Sequence, residues 1–411
     1  MDVCYLPWLH MHQPLVWLDD KIVSNLEKML KSKDARESWD AKLMLRAYKN
    51  PAKYVEELSK EGFKPKIMLD FSGILLESLL DLDERKISEK IEVNGEKIGP
   101  VIEAYKKVLK EFSGSIEFAG TAYAHCYFPA IPEEDWKLQI EEWRETFRKI
   151  FGSNELKKIK GFWLPEMGVP GREEALSKLI KFVKEYYEWM ILPVQSIQGY
   201  ESMSYEKIME IVCKPHLLQA GNEEITVIFR VPTYFIDQQA GCSPDLLYSR
   251  CLEAKRIFSK FSDRPALLVT ASDGENGNVM MNEFFSQTFV PFFKEKIGKE
   301  VFSLTASEFL ENFYGDGPKD KIKLKDIGAS WIDGHEAWMG GGKRLEAIKR
   351  IFSLSKKFYE LKPEQKSKVE KWLLIAETSC YVYWEVDYWF EQGRKFAEYL
   401  ENMVKSNLNL K

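Results

Sequence analysis

Seven short runs of aliphatic, β-branched and aromatic residues recur along the chain, each followed by polar sequence and then by a stretch with helix-like spacing. They are Val3 to Met11, Lys66 to Phe71, Ser115 to Ala122, Lys160 to Leu164, Trp189 to Val194, Ile225 to Val231 and Ala266 to Ala271. Between them Pro100 to Phe112, Trp136 to Ile150 and Glu173 to Glu185 place apolar residues every three to four positions. Strands separated by helices must be joined by crossovers, so the sheet is expected to be parallel. Right-handed crossovers then close it into a barrel or lay it out doubly wound. No G-x-G-x-x-G follows any run, which weighs against a dinucleotide-binding sheet.

The 411 residues exceed what one hydrophobic core usually holds, and the pattern changes after about residue 343. Leu345, Ile348, Ile351, Phe352, Phe358 and Leu361 keep helical spacing, Pro363 interrupts it, and Val369, Trp372, Leu373, Ala376, Tyr383 and Phe390 resume it. This predicts a C-terminal helical layer. Gly340-Gly341-Gly342 precedes it as a hinge or turn, and without a Ser- or Pro-rich linker the layer should pack directly on the sheet.

Lys plus Arg number 59 against 64 Asp plus Glu, a net charge of −5, so the chain offers no electrostatic case for a nucleic-acid partner. The expected ligand is uncharged. Aromatic residues make up 13%, more than a core of this size needs, and flat amphipathic rings suit stacking on sugars or bases. Cys4, Cys126, Cys213, Cys242, Cys251 and Cys380 form no metal-binding spacing and read as reduced thiols of a cytoplasmic protein. No apolar run has the length of a membrane span, and no export signal opens the sequence.

In a βα barrel the reactive groups stand where strands run out at their C-terminal ends. Those positions hold His10-Met11-His12-Gln13-Pro14, Asp70-Phe71-Ser72-Gly73, Thr121-Ala122-Tyr123-Ala124-His125, Trp163-Leu164-Pro165-Glu166 and Ser272-Asp273-Gly274-Glu275, while the sixth run leads toward Asp237. Three of the five histidines and a set of carboxylates thus fall on one rim. Taken singly each has a structural alternative. Glu166 suits a solvated helix cap, Asp273 a turn, Glu275 a cap of the next helix, and His10 with His12 a pair of satisfied core imidazoles. His216 lies outside every rim position. Two carboxylates across a polar, aromatic-lined mouth are what glycoside cleavage needs.

These residues resemble glycoside hydrolase family 57, the α-amylase, 4-α-glucanotransferase and branching-enzyme family, over nearly the whole chain. His12-Gln13-Pro14 is similar to the family's first conserved region, and Ser72-Gly73 with Leu75-Leu76-Glu77 to its second-strand segment. Thr121-Ala122-Tyr123 with His125 is similar to the second region, Gly161-Phe162-Trp163-Leu164-Pro165-Glu166 to the third and Asp273-Gly274-Glu275 to the fourth. Ser330-Trp331, Gly334, Trp338 and Gly340 resemble the link into the family's helical domain, and Ser379, Cys380 and Trp384 parts of its fifth region. Two departures stand out. His125 is followed by Cys126-Tyr127-Phe128-Pro129 where many members have His-Pro directly. Asn276-Gly277-Asn278 stands where an aromatic-Gly pair usually follows the fourth motif.

The resemblance implies a (β/α)7 barrel over 1–330 and a helical domain over 331–411. It implies a retaining α-glycosidase or transglycosidase acting on α-1,4-glucans, with Glu166 as nucleophile and Asp273 as acid/base. His10, His12, His125, Trp163, Trp338 and Trp384 are expected to bind an α-glucan or oligosaccharide. No metal, cofactor, nucleic acid or membrane is expected. Other specificities of the same family, branching enzyme or α-galactosidase, remain open. A metal-dependent polysaccharide deacetylase is disfavoured by the lack of His-x-x-x-His, and a sugar-binding module without turnover by the intact carboxylate pair.

Overall fold

The computed structural model describes residues 2–408, and all seven expected strands form in it. They are β1 Val3–Met11, β2 Ile67–Phe71, β3 Ile116–Phe118, β4 Gly161–Trp163, β5 Trp189–Pro193, β6 Glu223–Arg230 and β7 Ala266–Asp273. β1 lies between β7 and β2, and parallel pairing continues from β2 to β3 and through β4, β5 and β6. Two thin seams join these halves. Gly120 N donates to Gly161 O at 2.9 Å and Gly120 O accepts from Trp163 N at 2.8 Å, while Val231 N donates to Val269 O at 3.0 Å. The result is a seven-stranded parallel α/β barrel. All nine residues of β1 are buried, as expected of a strand paired on both edges and covered on both faces.

The third strand is shorter than its sequence suggests. Pairing with β2 ends at Leu69–Phe118, Gly120 turns to bridge β4, and Tyr123 N and Ala124 N are drawn to Gln139 at 3.0 and 2.9 Å. The chain there gives up a β ladder for bonds that position His125. A hairpin strand, His216–Ala220, pairs antiparallel with β6 and is not signalled by the alternation of strands and helices.

Strand alternation separates two cores. Cys4, Leu6 and Trp8 of β1, Met68 of β2, Trp163 of β4, Trp189 and Ile191 of β5, Ile228 of β6, and Leu267, Val269 and Ala271 of β7 fill the barrel interior. The opposite faces pack under the surrounding helices α1 Ala35–Lys60, α2 Gly73–Glu84, α3 Val101–Glu111, α4 Trp136–Phe151, α5 Glu173–Lys184, α6 Tyr205–Val212 and α7 Pro244–Phe258. The same phase carried one step further sets His10, Asp70, Arg230 and Asp273 on top of the tryptophan-rich plug.

The C-terminal chain is helical, but its second aromatic segment is broken in two places. After α8 Lys343–Tyr359 it forms α9 Pro363–Ala376, α10 Cys380–Tyr383 and α11 Asp387–Leu408. The first break has a local cause. Thr378 bridges Cys126, Ser379 N donates to His125 O at 3.1 Å, and Gln139 Nε2 donates to Leu374 O at 3.1 Å and Glu377 Oε2 at 2.8 Å. Cys126 and Tyr127, which separate His125 from Phe128-Pro129, are therefore the residues that dock these helices, with Tyr127 stacked on Trp338 at 4.3 Å. All six cysteines are free, and no helix among the described residues is long and apolar enough to cross a membrane.

Candidate active site

Strand register builds the floor of the site. His10 is the lateral partner of Asp70 on β2 and of Asp273 on β7, so three ionisable side chains stand in one row above Trp8. His10 Nδ1 meets Asp70 Oδ2 at 2.5 Å, and the other carboxylate oxygen accepts from Trp8 Nε1 at 2.7 Å. Burial opposes a proton on His10, but the adjoining Asp70 carboxylate outweighs it and lifts the imidazole to about 9. His10 is thus a cation at neutral pH, with both ring nitrogens as donors.

The proton on His10 orders the neighbouring imidazoles. His10 Nε2 donates to His125 Nε2 at 2.7 Å, which leaves His125 Nδ1 to donate to Ser379 Oγ at 2.8 Å. Burial, with the charge of His10 beside it, holds His12 well below the ordinary imidazole range. Burial likewise holds His125 there, with His12 and His10 adding to the effect. His12 Nδ1 lies 2.7 Å from Ser72 Oγ. Ser72 also caps α2 by accepting from Leu75 N, and His12 Nε2 is buried with no protein partner. The rings of His12 and His125 stack at 4.1 Å with 6° between planes.

Glu166 follows β4 through Leu164 and Pro165 and takes φ 57°, ψ 14°, a left-handed conformation unusual for a side-chain-bearing residue. His125 shares this feature at φ 53°. Such conformations cost on the order of 1 kcal/mol or more each and cluster where side chains must be aimed. Glu166 Oε2 accepts from Trp331 Nε1 at 2.9 Å, and Trp331 N donates to Glu166 O at 3.2 Å. Burial and then the nearby Asp273 charge push the Glu166 carboxyl up to about 7, against the opposing pull of His10 and Trp331. Asp273 Oδ2 accepts from Asn276 Nδ2 at 2.9 Å, so the asparagine in place of a family aromatic touches the carboxylate itself.

These residues line one cleft of about 930 Å³. His10, His12, His125, Glu166 and Asp273, all expected on the rim, meet there. Trp384, 49% exposed, stands with Tyr388 and Trp389 at the outer wall. Two expected sugar-binding rings are elsewhere. Trp163 is fully buried in the barrel, stacked on His10 at 5.2 Å, where it supports the floor and cannot reach a sugar. Trp338 is fully buried between Tyr127 and Tyr383, outside the cleft. Asp237 is exposed and caps its own turn through Gln239 N and Ala240 N. His216 bonds Ile211 O and stays remote from the cleft.

Arg230 and Trp331 are lining residues that the rim positions do not signal. Arg230 is in phase with Ile228, so strand alternation aims it inward, and its guanidinium lies 5.5 Å from the Trp331 ring centre. Among the described residues one group has metal-ligand composition, His12, His125 and Cys380, with donor atoms within 4.8 Å of one another. Its parallel stacked imidazoles send their in-plane lone pairs side by side, and His125 Nε2 is taken by His10, so the arrangement does not converge on an ion.

The model of glycosyl hydrolase family 57 matches residues 7–318, and the chain belongs to that family. No curated protein sequence matches it. Among solved structures it is similar to the 4-α-glucanotransferase of Thermococcus litoralis (20% identity, TM-score 0.66), covering 100% of this chain and 60% of that one. It is also similar to a branching enzyme from Pyrococcus horikoshii (15%, TM-score 0.66, 98% and 88% covered) and to an α-amylase from Thermotoga maritima (15%, TM-score 0.62, 98% and 93% covered). The chain thus spans three fifths of the glucanotransferase's length, and at these identities the likeness is one of fold.

Proposed function

We propose that the chain is a retaining α-glycosidase or transglycosidase acting on α-1,4-glucans, of α-amylase or 4-α-glucanotransferase type. Residues 1–330 form its catalytic barrel and residues 331–411 a helical domain that completes the cleft. With six free cysteines, its place is the cytoplasm. The observation that carries the reading is the pair of carboxyls, Glu166 and Asp273, facing one cleft closely enough for the Asp273 charge to act on Glu166. Glu166 attacks the anomeric carbon while Asp273 gives its proton to the departing oxygen. Asp273 then deprotonates the water or acceptor sugar that opens the glycosyl-enzyme. Burial is the larger cause of the rise at Glu166 and the Asp273 charge the next. Once Asp273 carries the proton that general-acid catalysis requires of it, that repulsion is gone, and the His10 charge and the Trp331 N–H favour the Glu166 carboxylate. His12, His125 and Trp384 bind the glycan, and no metal takes part.

Product analysis after incubation with maltoheptaose tests this reading. Shorter oligomers alone indicate hydrolysis, longer ones transfer, and both should persist in EDTA. Absence of any new product, or loss of turnover in EDTA with recovery on adding zinc, contradicts it. Trp331→Phe keeps a ring against Arg230 and removes the donor to Glu166. A hydrogen bond to a charged group contributes about 1.5–3 kcal/mol, so kcat/KM should fall roughly 10- to 100-fold. Losing a donor to the ionised form raises the Glu166 carboxyl, and the acid limb of the pH profile should move to higher pH. An unchanged limb and rate would show that Trp331 only fills space.

A further inference from the structure

Asp135 and Glu377 meet behind the cleft, where the helical domain docks on the barrel. Asp135 stands at the N-cap of α4, where an aspartate ordinarily accepts from the first helical N–H groups, yet its side chain makes no capping bond. Its carboxyl lies instead against that of Glu377, which follows α9 in the break before Ser379. Both side chains are buried. Glu377 Oε2 accepts from Gln139 Nε2 at 2.8 Å, while Glu377 Oε1 and both Asp135 oxygens have no donor in hydrogen-bonding geometry. The hydroxyls of Ser355 and Tyr359 flank Asp135, and Tyr359 is committed to Glu134 O at 2.8 Å.

No cation among the described residues pairs with either carboxyl. The other ionisable groups facing them are Glu134 beside Asp135, Cys126 after β3 and Tyr359 on α8, none of them a cation. Lys178 of α5 is held by Glu133 and Glu134. Lys343, Arg350 and Arg394, in the cavity that Glu377 also lines, are paired with Asp387, Glu401 and Glu391. Two buried carboxylates in contact without a cation cannot both stay ionised, so the pair keeps one proton between them. Burial raises both groups, and at Glu377 the Asp135 charge adds to it. The N-terminus of α4 favours the charge on Asp135, which leaves the proton on Glu377 Oε1, the oxygen that Gln139 does not occupy.

We propose that Asp135 and Glu377 are positioning residues of the site, joined by one shared proton that pins the helical domain to the barrel and so sets His125. The route is short. Gln139, bonded to Glu377, also accepts from Ala124 N at 2.9 Å through its side chain and from Tyr123 N at 3.0 Å through its carbonyl. Ser379, two residues past Glu377, donates to His125 O at 3.1 Å and meets His125 Nδ1 at 2.8 Å. His125, in its left-handed conformation, is thus gripped from both sides by groups whose spacing the carboxyl pair fixes. The part of His125 in turnover rests on the glycan reading of the cleft; the shared proton is independent of it.

E377Q keeps the link, with an amide N–H for Asp135 and an amide oxygen for Gln139, and has no proton to lose, whereas E377M keeps only volume. On maltoheptaose at pH 6, E377M should lose on the order of thirtyfold in kcat/KM and E377Q about twofold. Folded wild type retains a proton that the unfolded chain releases above the ordinary carboxyl value of 4.5, so its stability falls as pH rises, a loss E377Q does not share. The Tm of E377Q relative to wild type should therefore climb by roughly 3 °C between pH 5 and pH 8. Infrared difference spectra against wild type at pH 7 should show the same protonated-carboxyl band lost in E377Q and in D135N, since either amide removes the need for the proton. Neither of these readings requires E377M to fold. A Tm difference flat with pH, or a band that survives in either amide variant, would overturn the shared proton. E377M as active as wild type, or E377Q as impaired as E377M, would overturn positioning through the pair. A wild type inert on glucans, with the band lost in both amide variants, would strike the glycan reading and leave the shared proton standing.

Discussion

Glu166→Ala and Asp273→Ala should yield opposite anomers of glucosyl azide from one substrate, an α-glucosyl fluoride supplied with azide. Removing the Glu166 carboxylate leaves space on the face opposite the leaving group. Azide can attack there directly, and the product is the inverted β-glucosyl azide. Removing the Asp273 carboxyl leaves the attack by Glu166 intact, because fluoride departs without a proton. The covalent intermediate then forms with inversion and azide opens it with a second inversion, giving the retained α-glucosyl azide. On maltoheptaose, whose leaving group needs protonation, Asp273→Ala should lose roughly 10² to 10⁴ in rate. Glu166→Ala should lose at least as much, since no covalent intermediate can form. Proton NMR of the azide products reads both results. Reversed anomers exchange the two roles, and an unimpaired variant places the chemistry elsewhere.

Glu166→Gln should stabilise the fold while abolishing turnover. The Glu166 carboxyl stands at about 7 in the folded chain against an ordinary 4.5, with burial and then Asp273 as the causes. A carboxyl raised on folding takes nothing from stability below pH 4.5, and an increasing amount as pH climbs through 7, because the unfolded chain ionises it freely. The difference corresponds to about 3 kcal/mol as an upper value. Thermal unfolding of Glu166→Gln and wild type should coincide near pH 4 and diverge by roughly 3 °C in Tm at pH 8, the variant being the more stable. A variant less stable than wild type at pH 8 would mean that the Trp331 bond and the His10 charge outweigh burial, and that the carboxylate sits in a favourable site. Stability withheld at a reacting group is what preorganised sites show.

The barrel is legible in the sequence because its strands are buried on both faces and therefore read as continuous apolar runs. Their inward phase also brings out His10, His12, Asp70 and Asp273. Arg230 obeys the same rule, since it follows Ile228 by two residues, but the strand's exit points past it to Asp237. Trp163 departs from its expected role for a physical reason. A tryptophan next to a motif carboxylate suits stacking on sugar, yet this interior needs large rings to fill it, and Trp8, Trp163 and Trp189 do so. Trp331, Ser379 and Cys380 carry no periodic signal. Trp331 and Cys380 reach the cleft, and Ser379 reaches His125 behind it, because the chain returns there after the barrel is complete, and the break at 377–379 depends on partners more than two hundred residues away. The substitution of Asn276 for a family aromatic is visible in the sequence. Its bond to Asp273 is not.

Whether Glu166 and Asp273 cleave with retention is read most directly from the first sugar released by the wild type, without any substitution. Cleavage of maltoheptaose followed by proton NMR at early times, before mutarotation equilibrates the new reducing end, should show the α-anomer accumulating first. If the β-anomer appears first, a single displacement by water is at work, Glu166 is no nucleophile, and the double displacement is contradicted.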